Sequence, residues 1–388
     1  MADDRISRPT VHPLALGIRG FHHSMVSTIN QRAVLTLVAT SPGITNAEIA
    51  RRSGLGPQTV SRFLADLQRS GLIRRGEVLR GSPGLPATPF FLAYESVASI
   101  GVAIAWNRCE MVLMDLSGVV REHRSVAYDW PDAGIVFADI AALYADLTAD
   151  LTPLEHARIT AVGVAVPDMM SYELGWLGAP EDVHAPWRTV DAAAEVQAAL
   201  GIPARLYPFG PASAWSEHAA PDSPWRGDFL YIHFDELICS GMILDGVLWR
   251  GGAAGASLGH TLITGRDGTA VSLQDLASLT ALRRRYPAGE LAAGAAQDWI
   301  EDVAAALALT IANSAGLSRA GYAVIGGALP ESDLAALVAG VRARLPGMWS
   351  GPGEVVQVAA GRCGTSAAAI GASYLPLFEQ LFERAQAG

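Results

Sequence analysis

The chain has 388 residues, half of them hydrophobic, with three cysteines and a formal net charge of −10; that length suits about two to three domains with sizeable cores. No run of eighteen apolar residues and no charged-then-apolar N-terminal pattern occurs, which argues against a membrane span or a secretory signal. Cys109, Cys239 and Cys363 are scattered and odd in number, which argues against a disulfide framework or a cysteine-built metal site and for a reduced, cytoplasmic location.

Charge is unevenly distributed. Residues 1–94 hold 11 Arg against 5 acids, a net of +6, while the remainder holds 17 Arg against 33 acids, a net of −16; there is no lysine. A basic head on an acidic body implies an anionic partner for the head alone.

Residues 1–20, with Pro9, Pro13 and Gly17 and no periodicity, read as a loose arm. A helix is predicted over Ser27 to Thr40, with Ile29, Ala33, Val34, Leu37 and Val38 on one side, until Pro42 and Gly43 break it. Thr45-Asn46-Ala47-Glu48 is a capping box opening a second helix that stops at Gly54. Pro57 suits the first position of a third helix, whose apolar stripe is Val60, Phe63, Leu64 and Leu67. Two short strands are expected at Leu72–Arg75 and Glu77–Arg80, before Pro and Gly crowd 81–89. This order is that of a winged helix-turn-helix over residues 21–94. Gln58, Thr59, Ser61 and Arg62, at the N-terminal end of the third helix, would reach base edges or phosphates in the major groove of double-stranded DNA. Arg51, Arg52, Arg69, Arg74, Arg75 and Arg80 would line the phosphate backbone and supply salt-dependent affinity.

From about Ser96 the pattern becomes α/β. Strands are expected at 99–104, 110–115, 159–166, 203–207, 228–234, 238–245 and 321–326. Helices are expected near 134–152, 189–200, 211–219, 270–285, 294–317, 330–345 and 362–384. Two α/β lobes fit residues 95–388, dividing near 205–210.

Several stretches in order resemble the ROK family of repressors and sugar kinases. They are INQRAVLTL and EIARRSGLGPQTVSRFLADLQRSGLI, then SIGVAI…VLMDLSGVV, AVGVAVP and DFLYIHF…GMILDGVLWRG, then AGASLGH, VIGGAL and GTSAAAIGA. The resemblance implies a duplicated actin-like ATPase (ribonuclease H-like) fold behind the DNA-binding domain. It also implies a homodimer or dimer of dimers on a palindromic operator, sensing a small molecule, often a sugar. Ligand closure of the lobes would change the spacing of the two DNA heads.

The departures from that family bear on function. Ala103, Ala105 and Trp106 stand where ROK kinases carry an acid and glycines. The second phosphate loop reads Asp235-Glu236-Leu237-Ile238-Cys239, whose carboxylates would repel a polyphosphate. The kinases' Asn-Asp pair, which supplies the general base, reads Pro208-Phe209, and neither side chain takes a proton. No enzymatic activity and no cofactor are therefore expected. The family's zinc site keeps only His260, since TLITGRDGTAVSLQDLAS has no cysteine, so no metal is expected. The sugar motif reads Ser257-Leu258-Gly259-His260, without its acid, and Asp168 replaces a glycine. A nearby loop carries Trp176, Glu181, Asp182, His184 and Trp187. These aromatics, acids and histidine either hold a ring and its hydroxyls or fill space left by a lost ligand. The expected ligand set is His260, Ser257, Asp168, Glu181, His184 and Trp187. The function expected is a sugar-responsive repressor; the alternative is a regulator that has lost sensing and uses its body as a dimerisation scaffold. The wing has Gly84-Leu85-Pro86 where the family has Gly-Arg-Pro, leaving Arg80 as the substitute arginine.

Overall fold

A computed structural model describes residues 23–77, 88–220, 223–225, 227–249, 257–265, 268–287, 295–318, 320–349 and 353–382. The chain forms two compact units, Met1–Leu92 and Ala93–Gly388.

The first unit contains α1 (His23–Thr40), β1 (Ile44–Thr45), α2 (Asn46–Ser53), α3 (Pro57–Arg69), β2 (Ile73–Arg75) and β3 (Pro89–Leu92). The capping box forms as its sequence dictates: the Thr45 hydroxyl accepts from the Glu48 N–H, and the Glu48 carboxylate accepts from the Thr45 N–H at 2.9 Å. Gly54 ends α2 in the left-handed region, φ 71°, and Pro57 opens α3. Val60, Phe63, Leu64 and Leu67 are buried along one stripe of α3, and the core also holds Val34, Leu35, Val38 and Ile49. The wing departs from expectation. β2 pairs with β3, Ile73 opposite Leu92 and Arg75 opposite Phe90, and β1 closes the sheet on the other side of β3. Phe90 and Leu92 are buried on this unforeseen strand, its apolar anchor, and of the strand expected at Glu77–Arg80 only Glu77 is among the described residues. Residues 78–87, with Arg80 and Gly84-Leu85-Pro86, lie outside the described residues.

The second unit repeats one topology twice. In the first lobe β4 (Ala98–Ile104), β5 (Arg108–Asp115) and β6 (Val120–Ala127) run antiparallel. Then α4 (Ala133–Leu147) and α5 (Pro153–Ala157) lead to β7 (Ile159–Val166). After it α6 (Met170–Leu177), α7 (Glu181–His184) and α8 (Ala192–Leu200) lead to β8 (Ala204–Pro208), and α9 (Phe209–Ala219) follows. In the second lobe β9 (Phe229–Phe234), β10 (Ile238–Leu244) and β11 (Val247–Trp249) are antiparallel. Next come β12 (Leu262–Thr264), β13 (Ala270–Ser272), α10 (Leu273–Ala277), α11 (Leu279–Arg285) and α12 (Ala295–Ser318). The chain continues with β14 (Tyr322–Gly327), α13 (Glu331–Met348), β15 (Gln357–Ala360) and α14 (Ala367–Leu381). The sheets have matching orders, β6-β5-β4-β7-β8 and β11-β10-β9-β14-β15, each with two parallel strands reached through helices. This is a mixed α/β, actin-like duplicated fold.

The lobes meet over α9 and α14, which pack closely on each other; α14 lies on β4 and β7, and α9 on β9 and β10. Glycines make that approach possible. A Cβ on Gly101 would sit 1.9 Å from the Ala369 carbonyl oxygen, and one on Gly163 1.8 Å from that of Ala372. Any side chain there would push α14 off the sheet.

Several elements differ from expectation. Strand β6 was not anticipated because its sequence, VREHRSVA, is polar, yet half-buried and exposed positions alternate along it. The helix expected over 270–285 is broken: β13 precedes it, and the Ser278 hydroxyl accepts from the Ala281 N–H at 3.0 Å to start α11 afresh. The helices expected at 134–152 and 362–384 are shorter, and β11, β12, β15, α6 and α7 are additional.

Candidate nucleic-acid interface and ligand cavities

In the first unit the polar side chains of α3 stand out from its buried stripe. Gln58, Ser61 and Arg62 are exposed and Thr59 is half-buried. The Asn46 amide donates to the Ser61 hydroxyl at 2.8 Å, pinning the start of α2 to α3. Arg51, Arg52, Arg74 and Arg75 are exposed, and their guanidinium groups have no carboxylate at ion-pair distance among the described residues. Arg62 lies over Phe63 at 5.1 Å, Arg74 over Phe91 at 5.2 Å and Arg75 over Phe90 at 5.8 Å, so rings hold the guanidinium groups without neutralising them. Arg52 donates to the Ser41 hydroxyl at 2.7 Å. Arg69 differs: it pairs with Asp66 at 2.5 Å, so part of its charge is already used. The face is cationic, polar and anchored on a rigid helix.

In the second unit the two turns that would wrap nucleotide phosphates in the family's kinases are bound to each other. Arg108, at the start of β5, donates to both oxygens of Asp235, between β9 and β10, at 2.6 and 3.1 Å, and to Glu110 at 3.3 Å. Asn107 donates to Glu236 at 2.8 Å, and Glu236 also accepts from Thr280 at 2.7 Å and from Arg283. Tyr128 fixes the Arg108 turn by donating to the Ala105 and Arg108 carbonyls at 2.9 and 2.7 Å. Burial works against charge on Asp235, but His233, 3.7 Å away, and the Arg108 guanidinium outweigh it and hold the carboxyl below its ordinary range. Burial likewise opposes charge on Arg108, yet its carboxylate partners raise its pKa further. The expectation that Asp235 and Glu236 repel a polyphosphate is therefore corrected: both are paired with arginines, and the turns are joined to each other. A second tie joins α6 to α11, where Arg284 lies 4.2 Å over Trp176 and donates to its carbonyl at 3.2 Å.

The position that the family resemblance gives to the sugar is nearly full. Phe209 is buried, with its ring 5.8 Å from Trp106 and 5.4 Å from His233. Phe209, Glu173, Cys239, Asp168 and Ser257 border a void of about 20 Å³, the size for a single water. Glu173, which the sequence reading did not single out, accepts from the Trp106 indole N–H at 3.0 Å. Burial pushes its pKa up to about 7, partly offset by the Trp106 bond and reinforced by Asp168.

Beside this void lies a larger cavity of about 690 Å³, bordered by Asp168, Tyr172, Trp176, His184, Trp187 and Arg188. The Trp187 indole N–H donates to the Pro131 carbonyl at 2.7 Å, which fixes the ring. His184 Nε2 lies 3.0 Å from Glu181, which also pairs with Arg188 at 3.1 Å; His184 Nδ1 is buried with no partner among the described residues. Asp182 is exposed. The structure thus brings together Asp168, Trp176, His184 and Trp187, with Glu181 behind His184. Ser257 faces the neighbouring void, and its hydroxyl already donates to the Ile238 carbonyl at 2.9 Å. His260 is exposed and borders neither cavity. The residues present do not fit a zinc centre. No group of three His, Cys, Asp or Glu able to hold a metal occurs among the described residues, and 261–278 contain no cysteine.

Comparison with known proteins agrees with this architecture. Residues 28–74 match the model for winged helix-turn-helix DNA-binding domains, and residues 100–378 match that of the ROK family. A curated relative from Sinorhizobium fredii (strain NBRC 101917 / NGR234), designated y4fQ, is 24% identical over 382 residues and covers 93% of each chain. The crystal structure of a ROK family transcriptional regulator, a homologue of the Escherichia coli MLC protein, superposes with a TM-score of 0.68 at 18% identity. That match covers 92% of this chain and 98% of the other. A ROK family glucokinase from Streptomyces griseus, solved with glucose and AMPPNP, gives a TM-score of 0.58 at 19% identity over 72% of this chain and 98% of its own. A ROK family protein from Streptococcus pneumoniae, solved with sucrose, gives 0.54 at 16% identity over 73% and 99%.

Proposed function

The chain belongs to the ROK family and is a regulator of that family by its winged helix-turn-helix, and from that premise we propose that it represses carbohydrate-related genes under the control of a sugar-like ligand, without kinase activity. The observation that carries the regulatory reading is the set of exposed arginines around α3, of which only Arg69 is paired with a carboxylate among the described residues. Phosphate contacts from Arg51, Arg52, Arg74 and Arg75, with Arg69, would give affinity. Gln58, Thr59, Ser61 and Arg62 give sequence preference. Two copies of the chain would bind a palindromic operator with half-sites about one helical turn apart.

The ligand would sit in the cavity bordered by Asp168, Trp176, His184 and Trp187, where two indoles offer stacking faces and the acid and histidine offer hydrogen bonds. Glu181 would position His184. Binding shifts DNA affinity only by the ligand's difference in affinity between two arrangements of the body. Phosphoryl transfer has no support in the residues: Pro208 and Phe209 provide no base, and the phosphate turns hold each other. The test is fluorescence anisotropy on a selected operator with sugars and sugar phosphates, comparing the native chain with Trp176→Ala. A sugar that alters DNA affinity in the native chain and loses that effect in the variant supports the reading; indifference to every sugar counts against it.

One observation favours a second reading. The 20 Å³ void at the family's sugar position and the Arg108–Asp235 bridge describe a body packed against itself. A regulator that has lost sugar sensing and uses its body for dimerisation fits those features, and it predicts that indifference.

A further inference from the structure

On another side of Asp168 lies a separate cavity of about 420 Å³, within the usual size range for small-molecule sites. Its walls are apolar: Leu230, Met242, Leu244, Trp249, Leu258 and Leu317. Two of these, Leu317 at 90% and Trp249 at 43% relative exposure, are large hydrophobic side chains left open to water.

The polar groups of this cavity are mostly spent. Ser257 donates to the Ile238 carbonyl at 2.9 Å and accepts from the Gly259 N–H at 3.2 Å. Ser240 accepts from the Leu258 N–H at 2.9 Å. Ser318 donates to the Ser314 carbonyl at 2.9 Å and accepts from the Ala320 N–H at 3.3 Å. A polyol placed here would bury several hydroxyls against side chains that cannot pair with them, at about 1–3 kcal/mol each. Asp168 differs. It is exposed at the edge of the cavity, its carboxylate has no hydrogen bond or ion pair among the described residues, and partial burial raises its pKa.

We propose that this cavity is a second small-molecule site, selective for an amine with an apolar aryl or alkyl body, whose ammonium pairs with Asp168 while its body lies against Met242, Leu244 and Trp249. The ammonium supplies the counter-charge that Asp168 lacks, and the apolar body covers wall that water now touches. The cavity shares only Asp168 with the proposed sugar-like site, and it adjoins the 20 Å³ void through Asp168, Pro211, Ser240 and Ser257.

The test is isothermal titration of the full chain, without DNA, using 4-phenylbutylamine, the matching alcohol 4-phenylbutan-1-ol, and glucose. The amine is expected to bind about tenfold or more tightly than the alcohol, and any glucose binding is expected to survive Met242→Trp, which amine binding does not. Asp168→Asn should erase the amine's advantage. Met242→Trp, at a half-buried wall position, should abolish amine binding with the melting temperature retained, whereas Trp176→Ala, in the other cavity, should leave it unchanged. Affinity should fall as the pH drops and Asp168 becomes protonated. No amine binding, equal binding of amine and alcohol, or full binding by Met242→Trp overturns the proposal. Because no operator is present, failure here leaves the regulatory reading standing, and loss of sugar response leaves this site standing.

Discussion

Replacing Arg108 with Ala removes the cation between the two turns and leaves Asp235, whose side chain is only 1% exposed, beside Glu110 at 6%, with His233 at 3.7 Å and the Glu236 N–H as its remaining partners. Breaking a buried ion pair by deleting one partner costs about 3–5 kcal/mol. Arg108 itself is 16% exposed, so some water reaches the pair and the lower end, about 3 kcal/mol, is expected. Arg108→Lys keeps the charge but loses the two-pronged contact and should cost less. Arg108→Met combined with Asp235→Leu removes both charges and should be more stable than Arg108→Met alone. The assay is urea unfolding followed by tryptophan emission. All nine tryptophans lie at position 106 or later, so the signal follows the body and not the DNA-binding unit. A loss below about 1 kcal/mol for Arg108→Ala, typical of a surface pair, or a double variant costing the sum of its singles, would refute the claim that these turns hold each other.

Further consequences are measurable. Arg62→Ala should weaken operator binding by about 1–3 kcal/mol and relax sequence preference, while Arg74→Ala should lower the salt-dependence slope by about one, both read by anisotropy across a salt series. Glu173 titrates near 7 in the folded chain against 4.5 ordinarily. The folded state therefore binds the extra proton, and stability should fall as pH rises through that window, then level off above it. The cost of the ionised carboxylate is at most about 3 kcal/mol. Glu173→Gln keeps an acceptor for Trp106, so it should flatten this dependence and raise stability at pH 8 in urea melts. Gly163→Ala puts a methyl into the Ala372 carbonyl; it should lower the melting temperature of the body, by overpacking of about 1–3 kcal/mol or more.

The first unit was readable because its signals are local. Thr45 and Glu48 are three residues apart, Pro57 marks a helix start, and the apolar stripe of α3 repeats every three or four residues. Strand β3 was not foreseen because strand pairing is not local: β2 finds Phe90 and Leu92 across a stretch rich in glycine and proline. In the body, buried strands such as β7 and β14 announce themselves as apolar runs, whereas β6 hides behind charged residues that face water on alternate positions. The site shows the same limit. Asp235 and Glu236 are legible as acids at the place of the phosphate loop, but their partners, Arg108 and Arg283, lie 127 and 47 residues away in sequence. The sequence therefore suggested repulsion where the fold supplies pairing. Glu173 was missed because nothing in its neighbours reveals that Trp106 covers it.

The most direct measurement of the central claim is selection of binding sequences by the full chain from random duplex DNA, repeated with Arg62→Ala. Enrichment of an inverted repeat with half-sites near one helical turn, lost in the variant, is the predicted result. Recovery of no preferred sequence, or the same sequence with Arg62→Ala, would contradict it.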